Sequence, residues 1–234
     1  MSLSSILTKH CPKYETKIPS TGTSVWFRPF LVKEEKNLLI VQEFGTENEV
    51  LKCILNILEA CYEYDKFDKL PIFDIEYLFI QLRSKSIGTE ISPNITCPDT
   101  QELISIPINL NDLRVSFDKN HNKILDLGHN TILTMKYPSI NLILNSETKL
   151  SDENIYDIAL LCMDNIQTDS ELIECGVQSK SELEDFLNNM TIDQFSKITQ
   201  FFETMPKIEK EINYTTSDGV SRTIVLRGVS DFFV

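Results

Sequence analysis

The sequence predicts an α+β protein: helical bundles flanked by β-hairpins, with two repeated lobes as one reading of the layout. Three observations lead there. Short alternating runs bounded by turn residues recur along the chain, and longer amphipathic stretches with helix-start signals lie between them. The composition is that of a folded chain, with 41% apolar and 24% charged residues in 234. Collagen, disorder and coiled-coil repeats are thereby excluded.

Residues 14–28 read as a hairpin, with two alternating runs joined by Ser20-Thr21-Gly22-Thr23 and closed by Pro29. Residues 31–42 follow as a helix whose Glu34 and Glu35 stand early, where the helix dipole favours acids. Thr46 and Glu49 form a capping box for a second helix, with Val50, Leu51, Ile54, Leu55, Leu58, Cys61 and Tyr62 on one broad apolar face. Pro71 opens a third helix over residues 73–85 that is apolar on two sides and therefore central; Gly88 stops it.

β periodicity returns over 91–117 around the Pro98-Asp99-Thr100-Gln101 turn, with Pro107 suggesting an edge. A further hairpin over 123–137 turns at Gly128-His129-Asn130 and is followed by Pro138. Helices are expected at 152–165, 181–188 and 191–204, the last started by Thr191 and Gln194. A final hairpin turns at Ser217-Asp218-Gly219, because Asp-Gly between alternating runs is a strong local signal.

In this order the element pattern of the first half recurs in the second. The sequence therefore suggests an amino-terminal tail over 1–13, one lobe over 14–117 and a second over 118–234. Identities between the halves are few, so duplication and a coincidence of element order both account for the pattern.

The formal net charge of −13 argues against binding nucleic acid or anionic membranes, since both are drawn to Lys and Arg. It suits a basic or neutral protein partner. The start of the chain lacks the basic and apolar regions of a secretory signal, which predicts cytoplasmic residence where the protein is made. The six cysteines are scattered singly and read as reduced, structural thiols.

Residues that carry chemistry are scarce. Cys97-Pro98-Asp99-Thr100 begins like a zinc knuckle, but Thr100 stands where a second Cys belongs, and Tyr214-Thr215-Thr216-Ser217 in the last hairpin supplies none. His10 beside Cys11 makes a poor dyad, because adjacent side chains of an extended segment point to opposite faces. His121 and His129 read as solvated hairpin residues. The acid pairs Glu34-Glu35 and Asp152-Glu153 read as helix-start residues, and Arg83-Ser84-Lys85-Ser86 as a helix end with a weak claim to phosphate. No catalytic residue, metal site or cofactor is expected, and no small-molecule substrate.

Several blocks together resemble the baseplate hub subunit and hub-assembly protein family of contractile-tailed phages of the T-even type. They are Phe27-Arg28-Pro29-Phe30-Leu31-Val32-Lys33-Glu34-Glu35-Lys36, then Leu70-Pro71-Ile72-Phe73-Asp74-Ile75-Glu76-Tyr77-Leu78-Phe79 with Arg83-Ser84-Lys85-Ser86-Ile87-Gly88, Met135-Lys136-Tyr137-Pro138-Ser139, Met205-Pro206 and Asp231-Phe232-Phe233. The resemblance implies a non-enzymatic role in assembling or building the central hub, bound to other hub or tape-measure proteins. It implies the host cytoplasm during assembly and the virion baseplate as places of action. Some relatives carry cysteine pairs in the hairpins, which this chain lacks.

A permanent subunit, a transient chaperone of the tape-measure protein and a hub-associated hydrolase stay open as readings, as does the oligomeric state. Candidate contact residues are Trp26, Arg28, Phe30, Arg83, Phe232 and Phe233, since aromatics and Arg dominate interface hot spots. Four of them also have an internal explanation: Phe30 could anchor the first helix, Arg28 could pair with Glu34 or Glu35, and the two terminal aromatics could tuck into the core.

Overall fold

The computed structural model describes residues 11–145 and 155–233. His10, Asp152 and Glu153 lie outside them. The fold is α+β, and the chain divides into two compact units, residues 1–116 with 207–234, and residues 117–206.

The first unit opens with an antiparallel hairpin of β1 (Tyr14–Lys17) and β2 (Ser24–Phe27). Three helices follow: α1 (Val32–Phe44), α2 (Glu47–Cys61) and α3 (Ile72–Ser86). The Thr46 hydroxyl accepts from the Glu49 amide while the Glu49 carboxylate accepts from Thr46, the expected capping box. α3 is buried on both sides through Phe73, Ile75, Leu78, Phe79, Ile80 and Leu82. Tyr62, directly after α2, stacks on Phe27 at 4.7 Å and donates to the Leu78 carbonyl at 2.8 Å, tying hairpin, α2 and α3 together. Asp74, in the first turn of α3, accepts from the Ser20 amide and hydroxyl and so fixes the β1–β2 turn.

Short pairings come next: β3 (Glu90–Ile91) with β6 (Ile108–Asn109), and β4 (Asn94–Thr96) with β5 (Leu103–Ser105). β7 (Val115–Ser116) ends this stretch, and the chain returns to it only with β12 (Lys207–Thr215), giving a sheet in the order β13-β12-β7 with β13 (Ser221–Arg227). Gly219 takes φ +77° in the β12–β13 turn, a conformation that a side chain would strain. A short last helix, α8 (Gly228–Phe233), follows β13. Ile80, Cys97, Leu110, Leu113, Ile208, Tyr214 and Phe232 form the core beneath these strands. Residues 207–234, expected in a second lobe, therefore complete the first unit. Strand pairing at Lys207↔Ser116 and Ile208↔Val115 is the physical reason.

The second unit is built on an antiparallel sheet in the order β11-β10-β9-β8, from β8 (Ile124–Gly128), β9 (Thr131–Met135), β10 (Met163–Gln167) and β11 (Leu172–Glu174). His129 and Asn130 form the two-residue turn between Gly128 and Thr131, both with positive φ, as the favoured hairpin turn requires. The helices are α4 (Ile140–Asn145), α5 (Ile155–Cys162), α6 (Lys180–Asn188) and α7 (Ile192–Thr204). α6 and α7 carry reciprocal caps, Ser179 with Glu182 and Thr191 with Gln194. Leu133, Met135, Ala159, Cys162, Ile198 and Phe201 centre its core. The helix expected to reach residue 165 stops at Cys162, because Met163 to Gln167 pair with β9.

Candidate functional site

In β2 the side chains alternate, so Val25 and Phe27 are buried while Trp26 points outward with 47% of its surface exposed. Arg28 follows just past the strand, with its side chain partly buried. Its Nη2 donates to Glu34 Oε1 at 3.0 Å and to the Ala60 carbonyl at 3.1 Å, and its Nη1 donates to the Pro29 carbonyl. Glu34 in turn accepts from the Leu31 amide at 2.7 Å. Burial opposes ionisation of Glu34, but the Leu31 amide, Arg28 and Lys33 outweigh it and hold the carboxyl below its usual range. Arg28 thus pins the start of α1 to the end of α2.

Between these helices runs an open groove of about 450 Å³. Val41 of α1 and Cys53, Ile57 and Ala60 of α2 give it apolar lining; Asn37, Asn56, Glu49, Lys52, Lys33 and Glu34 supply polar edges. Phe44, one turn beyond Val41, is 78% exposed. The groove therefore has an exposed aromatic past one end and, at the other, Arg28 bound to Glu34 and Ala60. α1 buries little else: Glu34 and Leu38 face inward, whereas Val32, Leu39 and Ile40 are exposed.

The remaining expected contact residues are placed differently. Phe30 is buried and its amide donates to Ser86 Oγ, so it anchors the first helix. Phe232 is buried in the first unit's core. Arg83 donates to the Gly88 carbonyl at 3.2 Å, and its burial lowers its pKa. The Phe233 side chain lies outside what is described. Burial of Phe30 and Phe232 corrects their expected role as contact residues; Trp26 is exposed, and Arg28 is partly buried in its pairing with Glu34. The hydroxyls of Ser84 and Ser86 donate back to the Gln81 and Leu82 carbonyls of α3.

The two turns compared with zinc knuckles do come together. Cys97 Sγ accepts from the Tyr214 hydroxyl at 3.4 Å, the Ser217 amide donates to Glu102, and Arg222 reaches Asp99 at 3.0 Å and Asp218 at 2.6 Å. Thr216 also accepts from Arg222 and donates to Asp218. Hydrogen bonds from Thr100 and Tyr214 lower the Cys97 thiol to about 7 against the opposing effect of burial, and the Thr100 and Asp99 amides add to this. Among the described residues no group of three or more His, Cys, Asp and Glu is arranged to hold a metal ion. The other buried cysteines are pushed the opposite way, Cys61 to about 11 and Cys162 to about 12, by burial.

His121 is not the solvated hairpin residue expected. Its ring stacks on Tyr137 at 5.5 Å and lies 5.2 Å from Phe201. Thr204 gives its hydroxyl proton to the Gln200 carbonyl, so His121 Nδ1 donates to Thr204 and Nε2 carries the lone pair. That Nε2 is buried without a hydrogen-bond partner. Burial and Lys123 depress its pKa against the opposing effect of Asp118.

No helix among the described residues is long and apolar enough to cross a membrane. A family model described as T4 bacteriophage base plate protein matches residues 11–234. No curated protein and no solved structure matches the chain.

Proposed function

The chain belongs to the T4 bacteriophage base plate protein family, and we propose that it serves as a non-enzymatic assembly or structural protein of the baseplate's central hub. It holds another hub or tape-measure protein through Trp26 and the α1–α2 groove. The observation that carries this reading is the outward Trp26 two residues before Arg28, whose bonds to Glu34 and the Ala60 carbonyl hold the walls of the groove. A tryptophan costs little conformational entropy to immobilise and offers a large apolar face, which is why it anchors interfaces. The apolar lining with charged edges has the make-up of an interface patch.

The test is affinity capture from phage-infected cells with the wild-type chain and Trp26→Ala. Capture of hub or tape-measure protein, reduced roughly tenfold or more by the substitution, supports the reading. Capture of neither protein sinks the hub assignment, and capture indifferent to Trp26 sinks the groove. Counting the chain in purified virions then separates a permanent subunit, present at fixed copy number, from a transient chaperone.

A further inference from the structure

The outward face of α1 is a different surface from the groove. Taking 100° per residue, Val32, Lys36, Leu39, Ile40 and Glu43 share one stripe opposite the buried Leu38. Val32, Leu39 and Ile40 are 80%, 58% and 48% exposed. Apolar side chains on a helix normally turn inward, so such a face asks for a cover.

The charges on the stripe specify which cover. Among the described residues neither Lys36 nor Glu43 makes an ion pair. They are seven residues apart, about 10 Å along the axis, and cannot reach each other. They also stand symmetrically about the midpoint between Leu39 and Ile40. Glu35, the acid that would spoil this order, lies on the inner flank towards Arg83.

From this we propose that α1 pairs antiparallel with α1 of a second copy of the chain about a two-fold axis between Leu39 and Ile40. Each Lys36 then meets Glu43 of the second copy, and each Leu39 meets Ile40. A two-fold contact needs a surface that is its own complement, and this stripe is one. A parallel arrangement would set Lys36 against Lys36. One helix pair covers less than the roughly 1,200 Å² of a stable interface, so the dissociation constant is on the order of 10 μM. The groove reading uses Asn37 and Val41 on another flank, so either proposal survives failure of the other.

Sedimentation equilibrium of the full chain should show a mass rising from 26.9 kDa to twice that as concentration increases. Leu39→Asp, Lys36→Glu and Glu43→Lys should each weaken association roughly tenfold or more, with circular dichroism unchanged because all three sites are exposed. Mixing the Lys36→Glu and Glu43→Lys chains should restore it, as should combining both substitutions in one chain. A monomer at every concentration up to about 500 μM, far above the expected dissociation constant, overturns the proposal. So does a dimer indifferent to Leu39→Asp, or charge variants that mixing does not rescue.

Discussion

Replacing Glu76 by Gln should remove a pH dependence from the stability of the first unit. The Glu76 Oε1 accepts from the Val229 amide at 3.3 Å, at the start of α8. Burial raises its carboxyl to about 7 from 4.5; the Val229 amide opposes this and Asp231 adds to it. A carboxyl raised on folding binds protons more tightly in the folded state. The stability it contributes is therefore complete below about pH 4.5 and lost as pH rises through about 7. At about 1.4 kcal/mol per tenfold, the difference is on the order of 3 kcal/mol. Gln keeps the accepting oxygen and cannot ionise. Urea unfolding followed by the fluorescence of Trp26, the chain's single tryptophan, reports the first unit directly. Between pH 4.5 and 8 the wild type should lose up to about 3 kcal/mol relative to Glu76→Gln. A difference that stays constant with pH, or one that moves the other way, refutes the reasoning.

Two further outcomes follow from buried groups. His121 is depressed from 6.5, so the second unit should lose stability as pH falls below that value. His121→Phe keeps the stacking, gives up about 1 kcal/mol of hydrogen bond at neutral pH, and should flatten the acid-side loss in hydrogen exchange of residues 117–206. Cys97 is lowered to about 7 from 9.0, so its contribution is present above about pH 9 and lost as pH falls through about 7. Cys97→Ser should abolish that slope in exchange protection of the β4–β5 and β12–β13 turns; an unchanged slope would place its origin elsewhere.

Features written in local chemistry were legible in the sequence. Thr46 with Glu49, Thr191 with Gln194, and Asp218-Gly219 announce their elements within four residues, because caps and turns are satisfied locally. The two-sided apolar pattern of α3 announced a central helix for the same reason. Met163 to Gln167 were harder: after an apolar helix Met163 to Asn165 look like its last turn, and it takes pairing with β9, some thirty residues upstream, and with β11 to make them a strand. Residues 207–234 were misassigned likewise, since the partner that claims them is Val115–Ser116. At the candidate site, Trp26 and Arg28 stood out because their types fit a core badly. Phe30 and Phe232 could not be separated from them, since burial depends on what comes to meet a side chain. The stripe on α1 escaped because the periodicity rule expects apolar residues to point inward, and here they do not.

The pairing of Lys207 with Ser116 has a consequence for how the protein is made. The ends of the second unit are one ladder rung apart, the arrangement in which a domain can be inserted into another and still fold as a contiguous stretch. On the ribosome the second unit has all its residues before the first does. The first must wait, with Ile80, Ile108 and Leu113 uncovered, until Ile208, Ile212 and Phe232 have been added. Synthesis order and completion order are thus reversed, and the core that Ile80, Ile108 and Leu113 share with β12 and β13 closes only in chains translated past the β12–β13 hairpin.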